Sequence, residues 1–292
     1  MKKVTLLLLT FLLLNSAHSQ ISKQPPENGV YAVFAKLSGE RNTARSWMDT
    51  VHFLPKEYGS SLLWTMVKPY YLTSAEIKAL TKLTTPPANS SDRTRKELDY
   101  LLELQANRSP DQIKRVTALG TLGYWPQIAA LKSHPEHAQV LKDLYFEPVV
   151  VLGGDCIAGR YPLTTRLLQN IMLDDRVMEF TIKYTYIRPR PYHLEPRLQP
   201  LDRINSPSYA SGHSLWAYLQ AYIWSELVPR HREAFLKIAE EIRQSREVMG
   251  IHYPSDNSAS RAIAFRMLQY YKAKPQFKKD FTAARSELAK NK

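Results

Sequence analysis

The sequence predicts an all-α protein built as a single-domain helical bundle. Apolar residues recur at helical spacing in most segments after residue 71, whereas the apolar–polar alternation of β-strands is nearly absent. No repeat of fixed period and no low-complexity linker divides the chain of 292 residues, so we expect a single bundle and not several domains.

Residues 1–19 are predicted to be a cleaved secretory signal peptide. Lys2 and Lys3 precede an apolar run over residues 4–14, and a small-residue pattern ends at Ser19. The run is too short to span a bilayer, and no later segment approaches about eighteen apolar residues. We therefore expect a periplasmic or secreted protein with no membrane insertion after signal cleavage.

Two further regions are expected after the signal. Residues 20–70 are mixed in character and rich in aromatic side chains, and we expect an irregular N-terminal segment that packs on the core. Residues 71–292 are expected to form the helical domain. Its helices are predicted over residues 74–83, 92–106, 127–131, 137–145, 164–184, 214–227, 230–249, 256–273 and 278–288, with another beginning near Ser109.

Capping and breaking residues set the predicted ends of these helices. Thr73 or Ser74 can cap the first helix through a side-chain oxygen, and Pro86-Pro87 ends it. The Pro-rich stretch over residues 189–207 is predicted to be the longest non-helical segment of the domain. A loop of this length in a compact domain is more often functional than idle.

The chain is strongly basic, with a formal net charge of +13, and it has a single cysteine. A basic surface concentrates anionic substrates but also simply aids solubility, and the sequence leaves both interpretations open. One cysteine excludes an intramolecular disulfide, and Cys156 is interpreted as a buried small hydrophobe rather than a catalytic thiol. His134 and His137 match no metal-ligand signature, so we expect neither a bound metal nor a cofactor.

Three short clusters in the second half of the chain supply the chemistry of a phosphate-processing site. They are Lys183-x6-Arg190-Pro191, Ser211-Gly212-His213 and Ser245-Arg246-x5-His252-x3-Asp256. Three cations can neutralise a phosphoryl group, one histidine can attack it, and a second can protonate the leaving oxygen. The Asp256 carboxylate can accept from one imidazole nitrogen of His252 and leave the other nitrogen nucleophilic.

The local context of the clusters suits this chemistry. Lys183 falls on the last turn of a helix that the following prolines must end, so Arg190 is held on extended backbone. Ser211-Gly212-His213 precedes a helix whose first N–H groups carry partial positive charge. Its glycine allows the backbone to approach an oxyanion, and its serine hydroxyl adds a donor.

In this order and spacing, the clusters resemble the signature of the type 2 phosphatidic-acid phosphatase superfamily. That superfamily includes bacterial class A nonspecific acid phosphatases and vanadium haloperoxidases. Residues 83–91 also resemble the Pro-rich entry segment of the soluble bacterial phosphatases, so the resemblance covers roughly residues 80–275. It implies a helical bundle of the acid phosphatase/vanadium haloperoxidase type and hydrolysis of phosphate monoesters through a phosphohistidine.

The resemblance also implies a role for each site residue. His252 is the expected nucleophile, His213 the general acid and Asp256 the group that orients His252. The residues expected to bind the phosphate are Lys183, Arg190, Ser211, Gly212 and Arg246. Because His213 must begin protonated, activity is expected to peak on the acidic side of neutrality.

Two positions need separate interpretation. The family usually has proline where this chain has Ala210, which removes backbone stiffness but no functional group. Arg188 is a rival of Arg190, but only Arg190 has the family's spacing from Lys183. We expect Arg188 to support the site from behind or to lie on the surface.

The sequence leaves two alternatives to the phosphatase. Vanadate mimics phosphate, so a vanadate-dependent haloperoxidase could use the same pocket. A noncatalytic basic protein that binds polyanions is the second alternative, although such binding does not need an oriented nucleophile. The expected partner is a small phosphorylated substrate and not a specific nucleic acid, with its identity set by loops such as residues 192–209 and the region near Trp125. A homo-oligomer remains open, with residues 20–70 as a candidate contact surface.

Overall fold

The computed structural model describes residues 21–122, 150–153 and 158–290, and it confirms the all-α class. This part of the chain contains no β-strand. Its α-helices, numbered in chain order, are α1 Gly29–Phe34, α2 Ser74–Thr81, α3 Asp92–Asn107, α4 Pro110–Gly120, α5 Pro162–Tyr186, α6 Pro191–Leu194, α7 Gly212–Leu227, α8 Arg232–Val248, α9 Pro254–Ala273 and α10 Pro275–Lys290.

Several expectations fall on residues that lie outside the described part of the chain. They are the signal at residues 1–19, the helices at 127–131 and 137–145, Trp125, His134, His137 and Cys156.

Helix α7 is the centre of the bundle. Nearly all of its side chains are buried, because α8 and α9 pack along it and α5 contacts it as well. A helix that is apolar all round can only be stable in such a surrounded position. The main core joins α7 to its neighbours through fully buried residues that include Leu168, Ile171, Leu219, Trp224 and Ile263.

A second apolar cluster lies beneath the loops that carry the site residues. Leu98 and Leu101 of α3 pack there with Val116 of α4. Tyr192 and Tyr253, which are close in sequence to Arg190 and His252, belong to the same cluster. This packing holds the loops around residues 190–206 and 249–253 against α3 and α4.

Helix starts follow the capping expectations. Thr73 accepts from the Glu76 backbone N–H while the Glu76 side chain accepts from the Thr73 backbone, which forms a capping box. Ser91 accepts from the Thr94 backbone N–H in the same way at the start of α3. Proline occupies the first helical position of α4, α5, α9 and α10, where its missing N–H costs no hydrogen bond.

The expectation of an irregular segment over residues 20–70 was incomplete. This segment forms the short helix α1 and the 3₁₀ helices Thr43–Thr50, Pro55–Glu57 and Ser60–Met66. Such short elements have weak local signals, because packing against the rest of the fold and not propensity stabilises them. The same reason explains α6, which lies inside the stretch over residues 189–207 that we predicted to be non-helical.

None of the helices in the described ranges combines the length and apolar content needed to cross a bilayer.

A buried ion pair ties the N-terminal segment to the bundle. Arg243 of α8 is almost fully buried and donates to both carboxylate oxygens of Glu27, at 2.8 and 3.1 Å. Arg261 of α9 approaches the same carboxylate at 3.2 Å. Removing the acid would leave two cations without this counter-charge.

We therefore expect Glu27→Gln to lower the free energy of unfolding by about 3 kcal/mol, near the lower end for breaking a buried pair, because Glu27 keeps some exposure. Denaturant unfolding measures this change. Glu241→Gln is the matched control, because it breaks an exposed bidentate pair with Arg115 and should cost less than about 1 kcal/mol. Equal losses of unfolding free energy in the two variants would contradict the stabilising role of the buried Glu27–Arg243 pair.

Candidate active site

The three sequence clusters converge on one cavity of about 170 Å³. The ends of α4, α5 and α8, the start of α7 and the loops around residues 190–206 and 249–252 enclose it. The residues that the sequence singled out and that line it are Lys183, Arg190, Gly212, His213, Arg246 and His252. Segments far apart in sequence therefore place three cations and two imidazoles around a single space.

The end of α5 sets the direction of the first cluster. Ile187, the residue after the helix, has a left-handed backbone with φ of 43°, and its N–H donates to the Lys183 carbonyl. The chain then continues through two prolines, with Arg190 on extended backbone. This turn lets Arg190 reach back toward the helix end that carries Lys183.

Lys183 is almost fully buried, and its ammonium donates to three backbone carbonyls. The acceptors are Pro207 at 2.9 Å, Ser208 at 3.3 Å and Ala210 at 2.7 Å. Burial, followed by the neighbouring Arg190 charge, lowers the pKa of Lys183 to about 7. Lys183 therefore both lines the cavity and fastens the loop that leads into Ser211-Gly212-His213.

Arg190 is fixed by its donors on two sides. Its Nε donates to the Ser206 carbonyl at 2.9 Å and its Nη2 to the Ser206 hydroxyl at 3.2 Å. Its Nη1 lies 2.9 Å from the Ile251 carbonyl and 2.9 Å from His252 Nε2. A planar guanidinium held in this way can present a fixed fork to a phosphoryl oxygen.

The contacts of His252 determine which of its nitrogens carries the proton. A guanidinium has only donors, so His252 Nε2 must accept from Arg190. The proton then lies on Nδ1, which is 3.1 Å from Asp256 Oδ2 and donates to it. Burial, followed by the Arg190 charge, lowers the pKa of His252 well below its usual range. The imidazole is therefore neutral with a lone pair on Nε2 at the cavity wall.

Asp256 lies behind His252 and is fully buried. Its Oδ2 accepts from the Ser208 hydroxyl and the Tyr253 N–H as well as from His252, and its Oδ1 accepts from Arg188 at 2.7 Å. Burial raises the pKa of Asp256, but the charges of Arg188 and His252 and the hydrogen bonds from His252 and Ser208 together outweigh burial, and the pKa stays well below its ordinary value. Arg188 is 3% exposed, so it supports the site from behind and does not lie on the surface.

His213 stands in the first turn of α7, where Gly212 also faces the cavity. Burial, followed by the charge of Arg246, lowers the pKa of His213 well below its usual range. The Ser211 hydroxyl, which the sequence also predicts to bind the phosphate, is not among the groups that line the cavity. It donates instead to Ser214 Oγ at 3.1 Å, because Ser211 is fully buried at the helix start.

Arg246, on the last turn of α8, closes another side of the cavity. Its Nε and Nη2 donate to Ser245 Oγ at 3.0 and 2.9 Å, and Nη2 lies 3.3 Å from the Val116 carbonyl. Gly120 at the end of α4 leaves room for this arrangement. A Cβ at that position would lie 3.1 Å from Met249 Cε and 3.5 Å from Arg246 Nη1.

Sequence reasoning missed three further charged residues that line the cavity, Arg176, Glu179 and Asp202. Arg176 Nη1 donates to Glu179 Oε2 at 2.9 Å, and its guanidinium stands 4.5 Å from the centre of the Phe180 ring. Both residues belong to α5, seven and four positions before Lys183. Helical spacing places them on the face that carries Lys183, and that spacing was the available signal.

Comparison with known proteins gives an independent result. The family model of the PAP2 superfamily matches residues 163–279, which include all three clusters. A non-specific acid phosphatase of Providencia stuartii is 27% identical over 224 residues, covering 70% of this chain and 90% of that relative. One of Salmonella typhimurium is 30% identical over 178 residues, covering 54% of this chain and 69% of that relative.

A solved structure is similar in fold. The crystal structure of a bacterial vanadium-dependent iodoperoxidase aligns with a TM-score of 0.58 at 18% identity, covering 84% of this chain and 64% of that one. This chain thus spans less than two thirds of the iodoperoxidase, and the likeness concerns the fold alone. Together with the Salmonella relative and the matched family model, the converged clusters show that the chain belongs to the PAP2 superfamily.

Proposed function

We propose that this protein is an exported acid phosphatase, periplasmic or secreted, that hydrolyses phosphate monoesters through a phosphohistidine on His252. The observation that carries the proposal is the pair of hydrogen bonds that holds the His252 proton on Nδ1 and leaves Nε2 as an acceptor at the cavity wall. The relatives named acid phosphatases support the reaction class. The signal-like residues 1–19 support export.

In the first step, the Nε2 lone pair of His252 attacks phosphorus as the bond from phosphorus to the leaving oxygen breaks. Lys183, Arg190, Arg246 and the Gly212 N–H hold the phosphoryl oxygens, and Arg190 exchanges its contact with Nε2 for one of them. The His213 proton moves to the leaving oxygen. Asp256 stabilises the positive charge that the attacking imidazole acquires.

In the second step, a water molecule attacks phosphorus and gives a proton to His213. The phosphorus–nitrogen bond breaks, its electrons return to Nε2, and inorganic phosphate leaves. His213 has then regained its proton, so one water is consumed for each ester cleaved and the protein is unchanged.

The direction of the pKa shifts favours work at acidic pH. The lowered pKa of His252 keeps the nucleophile neutral in acid. The lowered pKa of His213 means that its acid form is populated only at low pH or beside the negative charge of a bound phosphate. Lys183 loses its charge as pH rises through about 7. Loss of the His213 acid form and of the Lys183 charge reduces turnover on the alkaline side, whereas the neutral His252 permits turnover on the acidic side.

A polyanion-binding role explains the cations but not the hydrogen-bonded pair of His252 and Asp256. Binding an anion requires positive charge, whereas fixing the tautomer of a buried histidine serves a nucleophile. We therefore favour catalysis.

We expect His252→Ala to lower kcat by about 10⁴-fold or more, because the attacking nitrogen is lost. His213→Ala should retain part of the first step on a phenyl ester with a good leaving group, since such a group departs without protonation. It should then accumulate an acid-labile, base-stable phosphoenzyme, which radiolabelled phosphate on the quenched protein would reveal.

The control for both variants is His52→Ala, because His52 is exposed and does not line the cavity. Its kcat should equal that of the parent protein. Turnover by His252→Ala at the parent rate, or label that persists on that variant, would refute the phosphohistidine.

Sulfate inhibition should report the charge of Lys183. Sulfate stays a dianion across neutrality, so a change in its affinity comes from the protein. Since the Lys183 ammonium is lost above its pKa of about 7, the inhibition constant should rise about tenfold for each pH unit above that value. Lys183→Arg keeps a charge that does not titrate and should abolish this rise. The same rise in that variant would show that another group is responsible.

A further inference from the structure

Arg188 makes a dense set of contacts directly behind the nucleophile. Its Nη1 donates to Asp256 Oδ1 at 2.7 Å and to Ser255 Oγ at 2.9 Å. Its Nη2 lies 3.3 Å from Thr94 Oγ1 and 3.8 Å from Glu97 Oε2. The guanidinium also stands 3.8 Å from the centre of the Tyr253 ring.

These contacts connect helix α3 to the catalytic loop. Glu97 of α3 accepts from the Ser255 hydroxyl at 2.7 Å, so Arg188 and Ser255 are both held from the same side. Asp256 is then fixed through Oδ1 by Arg188 and through Oδ2 by Ser208 and Tyr253. The carboxylate that orients His252 has little freedom to rotate.

Arg188 does not line the cavity, unlike Lys183 and Arg190. Its guanidinium is directed at a carboxylate, whereas Lys183 and Arg190 donate to backbone carbonyls at the cavity wall. Its charge is thus matched to Asp256 and not to a ligand. The two arginines of the Arg188-Pro189-Arg190-Pro191 sequence therefore differ in role: Arg188 pairs with Asp256, and Arg190 lines the cavity.

We propose that Arg188 is a positioning residue of the phosphatase reaction, which keeps Asp256 ionised and fixed so that His252 presents Nε2 to phosphorus. The inference rests on the proposed function and assigns a task to a residue outside the matched cluster pattern. It acts through Asp256 and touches neither the substrate nor the reacting atoms.

The planar shape of the Arg188 guanidinium contributes to positioning Asp256, in addition to its charge. One guanidinium reaches Asp256, Ser255 and the α3 residues in different directions while its flat face rests on the Tyr253 ring. A lysine ammonium is a point charge on a flexible stem and cannot hold all of these partners. Lysine at position 188 should therefore preserve the ionisation of Asp256 better than its orientation.

The charge of Arg188 also sets the acid limit of activity. The charged and titratable groups around Asp256 are Arg188, Lys183, His252, Glu97, Tyr209 and Tyr253. Arg188 exerts the largest influence that lowers the Asp256 pKa, against the burial that raises it. Without Arg188, Asp256 becomes protonated at a higher pH, and it then no longer accepts the His252 proton as a carboxylate. The acid limb of kcat/KM should move to higher pH.

The test compares Arg188→Met and Arg188→Lys, each alone and combined with Asp256→Asn, on a chromogenic phenyl phosphate. We expect Arg188→Met to lower kcat about 100-fold with KM nearly unchanged, the effect of a misplaced reacting group. Arg188→Lys should lose about tenfold and keep the parent acid limb. In the Asp256→Asn background, Arg188→Met should have less than about a twofold further effect, because the two residues act as one unit.

Arg243→Lys is the matched control for replacing a buried arginine, since Arg243 is equally buried but pairs with Glu27. It should lower the unfolding midpoint while leaving kcat and the acid limb unchanged. If Arg188→Met folds and retains the parent kcat, the inference fails. It also fails if that substitution lowers kcat by the same factor with and without Asp256, or if Arg188→Lys shifts the acid limb as far as Arg188→Met.

The proposed function is tested separately in the same assay. Loss of turnover in His252→Ala together with normal turnover in Arg188→Met would overturn only the role of Arg188. Turnover by His252→Ala at the parent rate would overturn the phosphohistidine itself.

Discussion

The arrangement of the site depends on keeping positive charge out of water. Four of its cations are at most 3% exposed: Lys183, Arg188, Arg190 and Arg246. A buried charge is tolerated only when its donors are satisfied, and a paired charge is no longer available to a ligand. The cations of this site differ in the partners that satisfy their donors. Lys183, Arg190 and Arg246 each donate to backbone carbonyls, and Lys183 also lies 3.9 Å from the Glu179 carboxylate, whereas Arg188 donates to Asp256. Positive charge is thus held at the cavity wall, and Arg188 is paired with a carboxylate behind His252.

The contacts of Lys183 and Arg190 also hold the segments that carry His213 and His252. Lys183 on α5 is bonded to the loop over residues 207–210, and that loop leads directly into α7 with His213 in its first turn. The Ile251 carbonyl that accepts from Arg190 immediately precedes His252. The cations that surround the cavity therefore also hold the two histidine-bearing segments in register. The proposed binding of a phosphoryl group and the alignment of the two histidines therefore depend on the same donors.

Most of the bundle was predictable because its helices carry local signals. Thr73, Ser91 and the prolines at helix starts act within a few residues of themselves, and α7 is apolar enough to require a central place. The site clusters were identifiable because their spacing matched a family pattern. The short helices before residue 70 carried no comparable signal, since contacts such as those of Glu27 with Arg243 join positions more than two hundred residues apart. The hydrogen bond from the Ser211 hydroxyl to Ser214 and the contact of Arg188 with Asp256 depend on which neighbour lies nearest in space, and a single sequence does not contain that information.

The geometry of the site requires a strained backbone at Ile187. A β-branched residue in the left-handed region is an outlier that costs on the order of 1–3 kcal/mol, yet here it makes the turn that aims Arg188 and Arg190 inward. Glycine or asparagine would adopt the same backbone with less strain. An effort to make this protein more heat-resistant would naturally select such a replacement first. It would also make the backbone that precedes Arg188 and Arg190 more flexible. A gain in thermal stability from replacing Ile187 would therefore come with slower turnover.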